Sequence, residues 1–181
     1  SSLFGTFPKL QNDHHAVDFL CDYLRLLTLG ASNPHEIEAI MDAELEVHHH
    51  NKLMVSGAIR TIGEAIPALG IVAAVLGVIV TMSSITEPPE VLGGLIGAAL
   101  VGTFSGIFIA YGFVAPAASN LESIYNAEHH YFMCIKAGLI GHMQGYAPQV
   151  SVEFARKVLP DEYRPSFAEL EEITQNLPAV S

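Results

Sequence analysis

The sequence predicts an all-α membrane protein: two transmembrane helices folded as an antiparallel hairpin, flanked by cytoplasmic helices. Three observations carry that expectation. Charged residues make up 15% of the chain, against about 25% in an ordinary soluble domain. The charges leave two long gaps, Ala65–Thr86 with 22 residues and Val91–Leu121 with 31, neither holding an Asp, Glu, Lys or Arg. At about 1.5 Å of rise per residue, either run can cross a hydrocarbon layer of about 30 Å. Between them lies "SSITEPPE", whose paired prolines and two acids break a helix and mark a tight turn.

Taken from the N-terminus, the first zone is residues 1–61, read as a cytoplasmic helical region. "AVDFLCDYLRLLTLG" sets Val17, Leu20, Leu24 and Leu27 at helical spacing and stops at Gly30. A second helix starts after Asn33, with Pro34 in the first helical position that suits proline. Ile37, Ile40, Met41 and Leu45 share its apolar face, while Glu36, Glu38, Asp42, Glu44 and Glu46 lie mostly elsewhere.

The hairpin is expected over 62–116, with spans at about 62–82 and 91–115 and a turn at 83–90. All eight Lys and Arg residues lie outside it: Lys9, Arg25, Lys52 and Arg60 before, Lys136, Arg156, Lys157 and Arg164 after. Positive charge stays on the cytoplasmic side, so both ends of this chain are expected there and the turn outside. Residues 117–181 return to cytoplasmic helix. The net charge of −11 argues against nucleic acid as a partner.

Inside the spans, small residues recur three or four apart: Gly70, Ala74 and Gly77 in the first, Gly93, Gly97, Gly102, Gly106 and Ala110 in the second. In lipid, close backbone approach through small residues does much of the work of association. The favoured expectation is the wall of an oligomer; packing within this hairpin alone is the other. Thr103 either back-bonds to its own helix or lines an ion or water path. No Asp, Glu, Lys or Arg lies deep in either span, so an ionisable carrier for ion movement must come from outside these segments.

Cys21 and Cys134 suggest no disulfide framework. The opening "SSLFGTFPKL" has neither the basic nor the apolar region of a signal peptide, and the chain is expected to be part of a longer one. His14–His15, His48–His50 and His129–His130 invite a metal reading, but adjacent helical histidines point apart and no ligand spacing completes a site. No metal, cofactor or enzyme chemistry is expected, since no nucleophile–base pair or phosphate-binding glycine loop is present.

"FLCDYLRLL", "EIEAIMDAELE", "IPALGIVAAVLGVI", "LIGAALVGTFSGIFIAYGFVAPAA", "GYAPQVSVEFARKVL" and "RPSFAELEE", in this order, resemble the MotA-type flagellar motor stator proteins of the MotA/TolQ/ExbB proton channel family. The resemblance covers the second half of that family's four-span pattern. The ExbB and TolQ relatives share the hairpin but not "VEFARK" and "RPSFAELEE"; their energy-transducing role is the alternative. The resemblance implies an inner-membrane ring of five subunits around a MotB dimer, with protons passing by a MotB aspartate and torque delivered to the rotor protein FliG, for swimming and chemotaxis. It places Pro67 and Pro116 at the cytoplasmic ends of the two spans as coupling residues, and Glu44 at the rotor contact. A proline in the first helical turn, of no consequence, is the other reading of Pro67. Sodium-driven relatives carry a threonine where Ala74 stands here and a second at Thr103. Sodium must replace its hydration oxygens with protein oxygens, so Ala74 implies proton drive.

Overall fold

The computed structural model describes residues 10, 13–30 and 33–177, and all regular structure among them is helical. In chain order the elements are α1 (His14–Thr28), α2 (Pro34–Ser83), α3 (Pro89–Ile109), a π-helical turn (Ala110–Val114), α4 (Ala115–Met143), α5 (Pro148–Val158) and α6 (Phe167–Gln175). The chain divides into two compact units: Ser1–His49 with Asn126–Ser181, and His50–Tyr125.

The first unit is built on bulky side chains. Asp13 caps α1 by accepting from the Ala16 N–H at 3.1 Å. Gly30 closes its C-terminal end at φ +94°, a backbone conformation that glycine tolerates best. The buried face of α1 is Ala16, Phe19 and Tyr23, rather than the expected line of Val17, Leu20, Leu24 and Leu27. Leu24 is exposed, and the other three are half-buried flanks. Alternation of size decides this: the small Ala16 lets α1 approach, and the rings of Phe19 and Tyr23 then fill the space. Phe19 meets Tyr23 edge-on at 4.9 Å and Phe132 of α4 at 5.5 Å, contacts worth about 0.5–1.5 kcal/mol each beyond area burial. Ile37, Met41 and Leu45 of α2 and Ile140 of α4 complete the core, with Met41 fully buried. Ile40, expected on the same face, is exposed.

Asn33 opens α2 through its side-chain carbonyl, which accepts from the His35 N–H at 3.1 Å, while its amide donates to Glu36 at 2.8 Å. One charged group is taken inward. Lys136 of α4 is 7% exposed, and its ammonium donates to Asp42 at 2.5 Å and lies 3.4 Å from Glu38. The two acids stand one turn apart on α2, as neighbours on a helix surface must. At the far end, Gly145 at φ +84° turns the chain out of α4. Gly141 lets α5 lie close: a Cβ there would sit 3.2 Å from the Ser151 Cα.

The "VEFARK" and "RPSFAELEE" stretches make one tied tail. Arg156 forks onto Glu153 at 2.7 and 2.6 Å and donates to the Pro165 carbonyl at 2.9 Å. This hydrogen bond holds the Glu153 carboxyl below the usual carboxylate range. Arg164 donates to the Leu159 carbonyl at 2.9 and 2.6 Å. Ser166 and Glu169 then form a reciprocal capping box at the start of α6.

The second unit is a hairpin of α2 from His50 onward, α3, the π-turn and the first residues of α4. Pro88 and Pro89 start α3, where a missing N–H costs nothing. Both helices are long and apolar enough to cross a membrane. Leu69, Val72, Val75, Leu76 and Ile79 of α2 and Leu100, Val101 and Phe104 of α3 are exposed, each above 50%. Such an exposed face suits lipid rather than water.

Candidate functional site

Glycine sets the distance between the two hairpin helices. A Cβ on Gly77 would lie 2.4 Å from the Ala99 Cβ, and one on Gly70 would lie 2.8 Å from the Gly102 carbonyl oxygen. A Cβ on Gly106 would meet the Ile66 carbonyl at 3.1 Å and the Gly70 Cα at 3.2 Å. These glycines are therefore used by helix packing inside the hairpin, the reading that the sequence had placed second. Gly93, Gly94 and Gly97 behave differently: a Cβ at any of them meets nothing within 4 Å.

Thr103 and Ala74 both flank this contact. The Thr103 hydroxyl lies a long 3.5 Å from the Gly70 carbonyl on the facing helix, in contrast to Thr81 and Thr61, which bond back to Gly77 and Gly57 on their own helix. Ala74 is half-buried one turn beyond Gly70, its backbone nitrogen 3.7 Å from where a Gly102 Cβ would stand.

The two prolines come next along the same hairpin. Pro67 sits deep inside the 50-residue α2, so a first-turn placement does not apply. It cannot donate to the carbonyl four residues back, that of Gly63, and its ring crowds that position. Small residues surround this point: a Cβ on Gly106 of α3 would lie 3.5 Å from the Pro67 Cα, and one on Gly63, a turn earlier, would lie 3.0 Å from the Val114 side chain. Pro116 removes the corresponding bond to Gly112. Here the helix responds by widening, since the Ala115 N–H bonds to the Ala110 carbonyl, five residues back. A π-turn of this kind often marks a functional segment.

Between these defects lies an open cavity of about 540 Å³, lined by Arg60, Gly63, Glu64, Ala110, Tyr111, Ala115, Pro116 and Ser119. Arg60 is held there by an ion pair with Glu122 of α4. Glu64 brings a carboxylate and Tyr111 and Ser119 bring hydroxyls, so the cavity combines acceptors and donors beside an apolar span. Sequence reasoning named Pro116 but missed this assembly. The available signal was spacing: Arg60, Gly63, Glu64 and Pro67 recur every three or four residues and so share one face of a helix.

Glu44 stands apart from that group, in the first unit. It is exposed, and its carboxylate accepts from the Tyr23 phenol at 2.5 Å. Burial, and then the hydrogen bond and charge of Glu44, push the Tyr23 phenol well above its usual pKa, so it stays neutral and keeps donating.

Taken together, the apolar hairpin, its glycine contact and the cavity at its proline-bearing end define an α-helical membrane protein. A profile of the MotA/TolQ/ExbB proton channel family matches residues 11–133, and the chain belongs to that family. It is 43% identical over 172 residues to Motility protein A of Escherichia coli (strain K12), covering 95% of this chain and 58% of that protein. It is 32% identical over 171 residues to Chemotaxis protein LafT of Vibrio parahaemolyticus, covering 94% and 60%. The chain thus spans little more than half the length of these relatives. A solved chain of the C. jejuni MotAB structure shares the fold, with a TM-score of 0.74 at 23% identity over 91% of this chain and 66% of that one.

Proposed function

We propose that this chain is the second half of a flagellar motor stator subunit, which with MotB conducts protons across the bacterial inner membrane and turns that flow into torque on FliG. The observation that carries this reading is the 43% identity to Motility protein A, which runs through the hairpin and the tied tail alike. An ExbB- or TolQ-like energy transducer is the alternative within the same family. The length of the match beyond the hairpin, through Arg156, Arg164 and the Ser166 capping box, favours the stator.

In this reading residues 62–116 are the membrane hairpin, with spans at about 62–82 and 91–115 and the turn 83–90 on the outer face. Residues 1–61 and 117–181 lie in the cytoplasm, as do both ends of this chain. The side-chain charges needed for proton movement are absent from the middle of both spans, so the ionisable relay is an aspartate of the MotB dimer, around which five subunits form a ring. Thr103 and Ala74 line the path beside that relay. Ala74 offers no oxygen to a dehydrated sodium ion, which favours protons. Pro67 and Pro116 mark the cytoplasmic ends of the spans, where a missing hydrogen bond and a π-turn let each helix adjust as the relay gains and loses its proton. Glu44, held by Tyr23 on an exposed surface, contributes to the rotor contact, where charge sets encounter rate and orientation.

The test is swimming restored to a stator-deficient bacterium by the full-length gene with its MotB partner, with proton-motive force and external sodium varied independently. Wild-type speed is expected to follow the proton gradient and ignore sodium, and Pro67→Ala is expected to abolish motility while leaving membrane abundance unchanged. Failure to restore motility under any gradient overturns the stator reading. Dependence on sodium overturns the assignment made to Ala74.

A further inference from the structure

The histidines that the channel reading leaves unused converge within the first unit. The rings of His49 on α2 and His129 on α4 stack at 4.3 Å with an interplanar angle of 26°. His130 adjoins at 6.1 Å from His129. On the other side of α2, His48 faces His15 of α1 at 6.4 Å and packs edge-on against Phe132 at 5.8 Å. The Nδ1 of His49 is buried with no hydrogen-bond partner. His49 and His129, about eighty residues apart in sequence, have been brought ring to ring.

We propose that His49 and His129, flanked by His48, His130 and His15, form an acid-sensitive clasp between α2 and α4, closed while the stacked rings are neutral and opened by protonation of the pair. Two imidazoles in parallel contact pack well as neutral aromatic rings, but two imidazolium ions at that separation repel each other. Burial and then the charges of His49, His130 and His48 lower the His129 pKa, and no carboxylate is among those causes. From α1, His15 faces His48, and Asp13 lies close enough to help raise the Tyr131 phenol. Glu128, next to His129 in sequence, and Lys52, three residues beyond His49, are both engaged in interactions as well. Nor do three His, Cys, Asp or Glu side chains converge as metal ligands among the described residues.

The direction of the effect follows from linkage. A histidine whose pKa falls on folding binds protons more readily in the open form. Its contribution to the closed state is whole above the ordinary value of about 6.5 and is lost as pH falls below it. Acidification therefore loosens the clasp. The inference concerns this unit alone and holds whether or not the torque reading does.

The test is hydrogen–deuterium exchange on the full-length protein with its MotB partner in lipid nanodiscs, at pH 7.5 and 5.5, corrected for intrinsic exchange rates. Peptides covering 45–52 and 126–133 are expected to open about tenfold more readily at the lower pH, the change that one differentially bound proton produces over one pH unit. His129→Phe keeps an aromatic ring without the charge and is expected to abolish that response, as is the His49→Gln/His129→Gln pair. His50→Gln, outside the stack, is expected to keep it. Exchange in the wild type that ignores pH overturns the proposal, as does a full response in His129→Phe. Because His129→Phe preserves the packing, the test stands even if the double variant does not fold.

Discussion

The two units of this chain hold helices together by opposite means. In the first, Phe19, Tyr23, Met41 and Phe132 interlock in a buried apolar core. In the second, Gly70, Gly77, Gly102 and Gly106 bring backbones into contact while the large side chains of α2 and α3 face outward. A lipid tail is as apolar as leucine, so burying leucine inside the hairpin gains little there. What remains is dispersion between closely spaced backbones, and only a residue without a side chain allows that spacing. The solvent therefore decides whether a helix pair is held by bulk or by its absence.

The largest break in this contrast should come from adding bulk to the hairpin. Gly70→Val places a branched side chain where even a Cβ would lie 2.8 Å from a carbonyl oxygen. The helices must separate, and a loss of about 3 kcal/mol or more of hairpin stability is expected, at or beyond the upper end for overpacking. Unfolding in bicelles by steric trapping measures it. Gly94→Ala, whose Cβ meets nothing within 4 Å, is the matched control and should change hairpin stability by less than about 0.5 kcal/mol. If Gly94→Ala instead destroys only assembly of the complex, the open glycines serve contacts between subunits.

Removing bulk should be the costly change in the first unit. Phe19→Ala deletes a ring held between Tyr23 and Phe132 and is expected to cost about 3–5 kcal/mol, read from the urea midpoint of that unit. A smaller loss would mean that α1 shifts to fill the space. Next comes Lys136, whose ammonium is nearly buried while Asp42 and Glu38 remain half open to solvent. Lys136→Ala is expected to cost about 1–3 kcal/mol, less than a fully buried pair because water still screens the acids. Lys136→Met, which keeps the apolar stem, should recover about half of that. Equal losses for the two variants would show that charge rather than packing holds α4 to α2.

The smallest effect belongs to the tail. Ser166→Ala removes one arm of the capping box and should lower stability by about 1 kcal/mol, visible as increased exchange of the Glu169 amide. An alkaline scan sharpens the comparison further. The Tyr23 phenol titrates above its usual value, so the stability it brings to the first unit is present below about pH 10 and lost as pH rises beyond that. Tyr23→Phe should remove this dependence and leave the hairpin unaffected.

Composition alone determined much of this protein. The two charge-free runs set where helices can face lipid, and the acids and prolines of "SSITEPPE" set where the chain turns back. Pro116 was legible as a break in hydrogen bonding because proline lacks an N–H in any setting. These are properties of single residues or of short spacings, and they survive without knowledge of the partner surface. What the tertiary structure decided is which partner each small or charged group meets. Gly70 and Gly93 look alike in sequence, yet one touches a facing backbone and the other meets nothing within 4 Å. Tyr23 displaced Leu24 from the core because ring packing against Phe19 depends on the shape of the other helices. His49 and His129 could not be paired in advance for the same reason: contact across about eighty residues is fixed by helix length and register, and neither is written at the positions that meet.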